Sequence, residues 1–159
     1  WTRRFYQHST DHRGVPGEPG RVATLVESDE DRCWGVAYRV APSAADEVIE
    51  QLDHREQGGY HRHVVDVVAP LKETEEQSQG VVDSAVMYVA GRENPHWAGP
   101  APIDELAEQV VRAEGPSGPN VEYLVELARA LREIGAQDRH VFRLEREVRQ
   151  RLSETDTVT

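Results

Sequence analysis

The chain has 159 residues and a net charge of −11, because 29 acidic side chains outnumber 18 basic ones. Roughly 100 to 200 residues make one domain, so we expect a single domain over residues 1–152. Nucleic acid and membrane surfaces are not expected as partners, since phosphate groups repel a protein this acidic. No segment approaches the ~20 consecutive apolar residues of a membrane span, and the N-terminus lacks the apolar core of a secretory signal.

The single cysteine indicates the cellular compartment. Cys33 has no second cysteine with which to form an internal disulfide or a cysteine-rich zinc site. This favours a reducing compartment and a cytoplasmic location. The chain begins at Trp1 and has no methionine before Met87, so we expect its N-terminus to be incomplete. The oligomeric state stays open at this point.

The first part of the chain predicts three strands. Arg3–His8 and Arg21–Val26 are short extended runs, separated by a segment in which prolines and glycines prevent regular structure. In Cys33–Val40, large apolar side chains alternate with mostly small or polar ones, a period of two that is typical of a strand. This last run is the strongest strand prediction in the sequence.

One helix and two more strands are predicted next. Ser43 stands three residues before an aspartate, as at the start of a capping box, and the apolar residues that follow share one helix face up to a stop before Gly58. Val64–Val68 and Val81–Ala90 are rich in β-branched residues and predict strands. The polar run Lys72–Gln79 between them predicts a solvated connection.

The C-terminal part predicts three amphipathic helices. One begins at Pro102, and Asn120 is placed to cap the second, which ends at Gly135. The third covers Asp138–Leu152, and Ser153–Thr159 has no apolar pattern and is expected to be a frayed tail. Strands first and helices last predict an α+β fold with a mostly antiparallel sheet or barrel.

Four side chains have a spacing that would suit a metal ion. His61 and His63 are two residues apart, so on a strand they would share a face, and His54 and Asp66 are close in sequence. An exposed strand end also accommodates histidines that have no function, and the spacing does not define a complete set of metal ligands. We therefore expect no metal site.

Nucleophilic and nucleotide chemistry are also not favoured. Ser117 lies in a Gly-Pro-Ser-Gly-Pro run after a predicted helix, whereas the serine of a nucleophile elbow follows a strand. Cys33 beside Trp34 in a predicted strand is typical of a buried structural cysteine. No glycine-rich run ends in Lys-Ser or Lys-Thr, so no nucleotide cofactor is expected.

The more informative carboxylates lie at the end of the first predicted helix. Residues 53–60 place acids before two adjacent glycines, where the backbone can approach a ligand closely, and then an aromatic residue, Tyr60. A carboxylate at a helix C-terminus faces the negative end of the helix dipole, which suits a general base. The alternative is a solvated last turn with Arg55, and the spacing leaves both interpretations open.

Six motifs, in order and over nearly the whole chain, resemble the ChaC-type, glutathione-specific γ-glutamylcyclotransferases. They are RRFYQHSTDHRG at 3–14, PGEPGRV at 16–22, WGVAYR at 34–39, REQGGY at 55–60, Asn-Pro leading to Gly-Pro-Ala-Pro within 94–102, and GPSGPNVEYL at 115–124. The resemblance implies a small, mostly antiparallel β-barrel flanked by helices. It also implies cleavage of glutathione to 5-oxoproline and cysteinylglycine without a cofactor or metal.

The resemblance also implies roles for individual residues. Glu56 matches the catalytic glutamate of the family, which would act as general base and then as general acid. Tyr60 and Tyr88 match aromatic positions that resemble pocket walls. Glu47 matches a second acid of the pattern, which would either bind the substrate amine or face water. Trp97 stands where the family usually has tyrosine and would reshape the pocket.

The chain departs from the family pattern at its start. Members begin with a Tyr-Gly-Ser-Leu loop whose backbone amides hold the γ-glutamyl carboxylate and the developing oxyanion, and this sequence starts after that loop. One oxyanion donor typically contributes about 10²- to 10³-fold in rate. Two alternatives therefore remain: a glutathione-cleaving enzyme, or a γ-glutamyl-binding or structural remnant of the same fold with little or no turnover. Preference among γ-glutamyl compounds is not predicted.

Overall fold

A computed structural model describes residues 1–29, 31–68 and 82–156. The elements in chain order are β1 (Thr2–Ser9), β2 (Gly20–Val26), a 3₁₀ turn (Pro42–Ala44), α1 (Ala45–Arg55), β3 (Tyr60–Val68), β4 (Val82–Ala90), α2 (Ile103–Arg112), β5 (Glu114–Gly115), β6 (Gly118–Pro119), α3 (Asn120–Glu133) and α4 (Arg139–Asp156). These elements form two compact units. The first combines Trp1–Gly35 with the chain from Ala90 onward, and the second is Val36–Val89.

In the first unit, β1 and β2 pair as an antiparallel hairpin, which confirms both strand predictions. Their register shifts between Arg4 and Gln7, so part of the β1 backbone bonds outside the hairpin. The Tyr6 carbonyl accepts hydrogen bonds from the amides of Ala98 at 2.7 Å and Gly99 at 3.1 Å. The segment that follows β4 is thereby attached to β1.

The three C-terminal helices supply most of the core of the first unit, as their apolar patterns predict. Their buried side chains and Phe5 of β1 form one apolar cluster: Leu106, Val110, Leu124, Leu131, Val141, Leu144 and Val148. At about 25 cal/mol per Å² of apolar surface, burial of these side chains is the main favourable term for this unit. The helix predictions are confirmed, because the side chains on the predicted apolar faces are the ones buried in this cluster.

The final helix is longer than its apolar pattern predicts. α4 runs through Asp156, one turn beyond the predicted end at Leu152. Gln150 donates a 2.9 Å hydrogen bond to Glu154, an i,i+4 contact that supports the added turn. Neither α4 nor another helix within the described ranges is long and apolar enough to cross a membrane.

Two predicted helix caps are wrong. Asn120 is fully buried and caps nothing, because its side chain accepts a hydrogen bond from the Arg21 amide at 2.6 Å and donates one to the Arg21 carbonyl at 2.9 Å. The side-chain amide of Asn120 therefore bonds to the distant backbone of Arg21 and not to the first turn of α3. Ser43 makes no cap hydrogen bond, because it lies within the 3₁₀ turn that precedes α1.

Glycines of the first, second and last motifs lie where the loop after β1 crosses the β5–β6 turn. A Cβ atom on Gly14 would lie 2.0 Å from the Gly20 nitrogen, and one on Gly115 would lie 2.2 Å from the His12 carbonyl oxygen. No side chain fits between backbones this close, so glycine is required at the crossing. The loop after β1 is thus joined to the β5–β6 turn that leads into α3.

The second unit consists of α1, β3 and β4. β3 and β4 form a two-stranded sheet, which confirms these strand predictions and extends the first of them back to Tyr60. No residue of α1 is buried, and apolar side chains of the sheet such as Val64 and Val86 are exposed. The predicted connection Lys72–Gln79 lies outside the described residues.

The strongest strand prediction is wrong. Cys33–Val40 has no regular structure, and Tyr38 is 86% exposed. A strand is stable only when a neighbour satisfies its backbone hydrogen-bonding groups, and alternation in sequence does not supply that neighbour. In the described ranges no strand pairs with this segment.

The α+β class is confirmed, but the predicted barrel is not observed. The sheet structure of the described ranges consists of three two-stranded pieces, β1–β2, β3–β4 and β5–β6, without a closed barrel. β1–β2 and β5–β6 are antiparallel. Closure requires an uninterrupted ring of hydrogen-bonded strands, and Cys33–Val40 forms no strand that could extend the sheets of the described ranges.

Candidate active site

The turn from α1 into β3 positions Glu56. The Glu56 amide donates to the Leu52 carbonyl at 2.9 Å and ends the helix. Gly59 follows with a φ of +87°, a left-handed conformation that favours glycine and turns the chain. The Tyr60 amide then returns to the Glu56 carbonyl at 3.4 Å. Glu56 and Tyr60 therefore lie on one tight turn between helix and strand.

The Glu56 carboxylate is shielded from solvent and paired with a cation. Its side chain is 17% exposed; Oε1 accepts a 2.7 Å hydrogen bond from Nε of Arg55 and lies 2.6 Å from Nη2 of the same guanidinium. The Arg55 side chain is 72% exposed. Exposed ion pairs contribute only about 0–1 kcal/mol, so another cation can replace Arg55 at small cost. The geometry suits binding of an ammonium group.

Asp53 lies one helical turn before Glu56 and bonds to both strands of the second unit. Its Oδ1 accepts the Tyr88 hydroxyl from β4 at 2.5 Å, and its Oδ2 accepts Nη1 of Arg62 from β3 at 2.9 Å. Loss of hydration raises the pKa of the Tyr88 phenol, and the hydrogen bond to the Asp53 carboxylate raises it further. Tyr88 is therefore a protonated donor at neutral pH.

β3 carries Tyr60 on the same side as Arg62. Alternate residues of a strand share a face, and Arg62 reaches Asp53 on α1, so this face of β3 is directed to α1. Tyr60 is 38% exposed, which leaves part of its ring accessible. Three of the predicted site residues, Glu56, Tyr60 and Tyr88, are thus grouped around the C-terminal end of α1.

Glu47 is not part of this group. It precedes Glu56 by nine residues, which at about 100° and about 1.5 Å per residue places it on the opposite side of the helix and roughly 13 Å away along the axis. Its Oε1 accepts a 3.2 Å hydrogen bond from the Gln51 amide. With Glu50 and Asp53 it lines an open, acidic depression on the surface of α1.

Trp97 belongs to the first unit. Its ring meets Tyr6 edge to face, with 5.8 Å between centroids, and its amide donates to the Asn94 carbonyl at 2.9 Å. A β-bridge joins it to Gln7 of β1. These contacts hold the half-buried indole against β1.

The residues with metal-ligand spacing on β3 are divided between its two faces. His61 and His63 share one face of β3, whereas Asp66 alternates to the other face. Across the described part of the chain, no group of three or more histidine, cysteine or acidic residues is placed to hold an ion.

Burial raises the pKa of the Cys33 thiol, which reduces its nucleophilic thiolate form.

Sequence reasoning missed Arg62 and the bridging contacts of Asp53. Two local signals point to them: Asp53 precedes Glu56 by one helical turn, and Arg62 follows Tyr60 by two residues on the same strand face. The contact between Asp53 and Tyr88 spans 35 residues, and local periodicity carries no information about it.

Solved structures define the class of protein to which this fold is similar. A crystal structure of a glutathione-specific γ-glutamylcyclotransferase from yeast, labelled with selenomethionine, matches with a TM-score of 0.75 and 30% identity, over 94% of this chain and 83% of the yeast chain. A second yeast crystal structure gives 0.74 and 31%, over 94% and 85% of the two chains. The fold is that of the γ-glutamylcyclotransferases.

The chain belongs to the ChaC-like protein family, whose sequence profile matches residues 1–151. It is 38% identical over 160 residues to gamma-glutamylcyclotransferase 2-3 of Arabidopsis thaliana, covering 98% of this chain and 78% of the relative. It is 35% identical over 170 residues to the glutathione-specific gamma-glutamylcyclotransferase of Schizosaccharomyces pombe, covering 98% and 82%. The resemblance of the six motifs is confirmed.

Proposed function

We propose that this protein cleaves glutathione by cyclisation of its γ-glutamyl group, releasing 5-oxoproline and cysteinylglycine. The observation that carries the proposal is the shielded Glu56 carboxylate at the end of α1, grouped with Tyr60 and Tyr88, in a chain of the ChaC-like family. The name of the Schizosaccharomyces pombe relative supports glutathione as substrate, and the name of the plant relative supports a γ-glutamyl substrate. The single cysteine, Cys33, supports a reducing compartment such as the cytoplasm.

The reaction closes a five-membered ring within the substrate. The α-amine attacks the γ-carbonyl carbon of its own glutamyl group, a C–N bond forms, and the amide bond to the cysteine breaks. An attack within one molecule gains from proximity and needs neither a protein nucleophile nor a cofactor. The protein has to fold the substrate, remove a proton from its ammonium group and deliver a proton to the leaving amine.

Glu56 is assigned both proton transfers. Its carboxylate takes one proton from the substrate ammonium before the attack, and the resulting acid protonates the cysteinylglycine nitrogen as the amide bond breaks. The second proton that the ring nitrogen loses passes to the released amine, which leaves as an ammonium. The contact with Arg55 supports this role, because the site already accommodates a cation beside Oε1. The substrate ammonium replaces Arg55 there, and the released guanidinium is available to a glutathione carboxylate.

The remaining site residues are assigned to substrate contacts. Tyr60 and Tyr88 are assigned as walls of the substrate pocket through their match to aromatic family positions, and the Tyr88 hydroxyl donates to Asp53. Trp97 stays a prediction that rests on its match to a family tyrosine position. Glu47 is a peripheral contact at most, since it lies on the other side of α1 from the proposed base.

The substitution Glu56→Gln tests the mechanism. The amide has nearly the same shape as the carboxylate, so the unfolding free energy should change by less than about 1 kcal/mol. The kcat for cysteinylglycine release should fall at least about 100-fold, because the amide accepts no proton. A coupled assay for cysteinylglycine on purified variants provides the measurement.

Glu50→Gln is the matched control, since Glu50 is an exposed acid of the same helix, and its kcat should equal that of the wild type. A wild-type rate in Glu56→Gln would contradict the assigned base. A folded wild-type protein that binds glutathione without releasing cysteinylglycine would instead identify a γ-glutamyl-binding protein of this fold.

A further inference from the structure

Asp53 connects three elements of the second unit through one carboxylate. Its two oxygens have different partners, the Tyr88 hydroxyl on β4 at 2.5 Å and the Arg62 guanidinium on β3 at 2.9 Å. Both distances are typical of charge-assisted hydrogen bonds. Because both oxygens are engaged, Asp53 is not available as a proton acceptor for a substrate.

Apolar packing does little to hold α1 in place. None of its residues is buried, and Leu52, the apolar neighbour of Asp53, is only half-buried. An element with few buried apolar contacts has low local stability. The polar contacts of Asp53 therefore carry more of the positioning of this helix end than they would beneath a dense core.

The Glu56 carboxylate is close to Asp53 along the helix. Glu56 is three positions after Asp53, which corresponds to about 300° of rotation and roughly 4.5 Å of rise, so their side chains are neighbours on the helix surface. A shift of the helix end at Asp53 is therefore passed to Glu56 within a single turn.

We propose that Asp53 is a positioning residue for the cyclisation, and that its bonds to Tyr88 and Arg62 hold the end of α1, and with it Glu56, at a set distance from the β3–β4 sheet. This inference rests on the proposed role of Glu56. Misplacement of a catalytic group by about 1 Å costs roughly 100-fold in rate. Half-exposed pairs such as Asp53–Arg62, 47% and 49% exposed, contribute little to folding.

The substitution Asp53→Ala removes both bonds and tests the proposal. We expect kcat for cysteinylglycine release to fall about 10- to 100-fold, with KM changed less than about threefold and the melting temperature close to wild type. Asp53→Asn keeps an acceptor for Tyr88 but loses the charge that faces Arg62, so its kcat should be intermediate. Asp46→Ala, an exposed acid at the start of α1, is the control and should keep the wild-type kcat.

Combination with Glu56→Gln separates positioning from a general structural effect. If Asp53 acts through Glu56, Asp53→Ala lowers the rate of the wild type but leaves the residual rate of Glu56→Gln unchanged. An equal fold-decrease in both backgrounds would show that Asp53 acts independently of Glu56 and would overturn the inference. A wild-type kcat in Asp53→Ala would overturn it as well.

The outcomes also separate this inference from the proposed function. If Glu56→Gln retains the wild-type kcat, the proposed mechanism fails and this inference fails with it. If Glu56→Gln loses activity and Asp53→Ala does not, the inference alone fails. Should Asp53→Ala not fold, Asp53→Asn and Arg62→Gln are each measured in the wild-type and Glu56→Gln backgrounds. An equal fold-decrease of kcat in both backgrounds would again overturn the inference.

Discussion

The imidazole of His140 accepts a hydrogen bond from the Phe5 amide through Nε2, at 3.2 Å. An accepting nitrogen carries no proton, so the ring is neutral in the folded protein. Burial lowers the pKa of His140 to about 4, the charges of Arg4 and Arg143 act in the same direction, and Asp138 opposes them. Protonation would place a second donor opposite the Phe5 amide, at the point where the β1–β2 register shifts.

We expect acid to destabilise the fold through His140. The pKa is 6.5 in the unfolded chain and about 4 in the folded one, so between these values the unfolded state binds more protons and the unfolding free energy falls as pH falls. The partial exposure of the ring limits this loss to on the order of 1–2 kcal/mol. Urea unfolding at pH 7 and pH 4.5 measures it.

His140→Gln is the control for this prediction, because glutamine retains an acceptor for the Phe5 amide and does not titrate in this range. The difference in unfolding free energy between the two pH values should be smaller in the variant than in the wild type. Identical pH dependence in both proteins would assign the acid sensitivity to other groups.

At the scale of elements, Glu145 joins α3 to α4. Its side chain is 4% exposed and accepts hydrogen bonds from Arg132 of α3 and, at 2.9 Å, from Arg149 of α4. Burial raises the pKa of Glu145, but the bonds from the two arginines outweigh burial and hold it below its usual value. The Arg132 guanidinium also lies 4.7 Å from the centre of the Phe142 ring. One buried carboxylate therefore links the two helices beside their apolar contact.

Glu145→Ala should lower the unfolding free energy by about 1–3 kcal/mol. The substitution removes a buried acceptor, while the half-exposed arginines can turn to water, so the cost is below that of stranding a buried charge. Urea unfolding provides the measurement. Glu126→Ala, which removes an exposed i,i+3 pair with Arg129, is the control and should cost less than about 0.5 kcal/mol. Equal losses would contradict the assigned role.

At the scale of the whole molecule, the described residues of the two units differ in how much apolar surface they bury. The first unit has fully buried side chains from β1 and from each of its three helices, among them Phe5, Leu106, Leu124 and Leu144. In the second unit, α1 has no buried residue. Local opening is easier where few apolar contacts are lost, so the two units should differ in amide protection.

Hydrogen exchange tests this difference in the intact chain. Amides of α1 should exchange at least about tenfold faster than those of α3 and α4 at neutral pH, because opening α1 exposes little apolar surface. Mass spectrometry of peptic peptides from each helix measures both exchange rates in one sample, so the α3 and α4 peptides are the control for the α1 peptides. Equal protection of α1 and α3 would show that the second unit is as stable as the first.

Local periodicity was sufficient for most of the elements. The helices from Pro102 onward and the strands β1 and β2 follow from patterns within 7 to 18 residues, since an amphipathic repeat records which face is buried. The motifs led to the family, and the family match led to Glu56, Tyr60 and Tyr88. The acid placed before two glycines agreed with that assignment, but its spacing alone did not decide between a functional site and a solvated turn.

Tertiary structure decided what depends on partners distant in sequence. Cys33–Val40 alternates like a strand but joins no sheet within the described ranges, because a strand needs a neighbouring strand and no local pattern records one. Asn120 has the sequence of a cap, yet bonds to Arg21 across 99 residues. The amino-acid sequence by itself determined the helices, the hairpin and the family; the bonds of Asp53 to β3 and β4 were decided by folding, because hydrogen bonds between elements depend on how those elements pack.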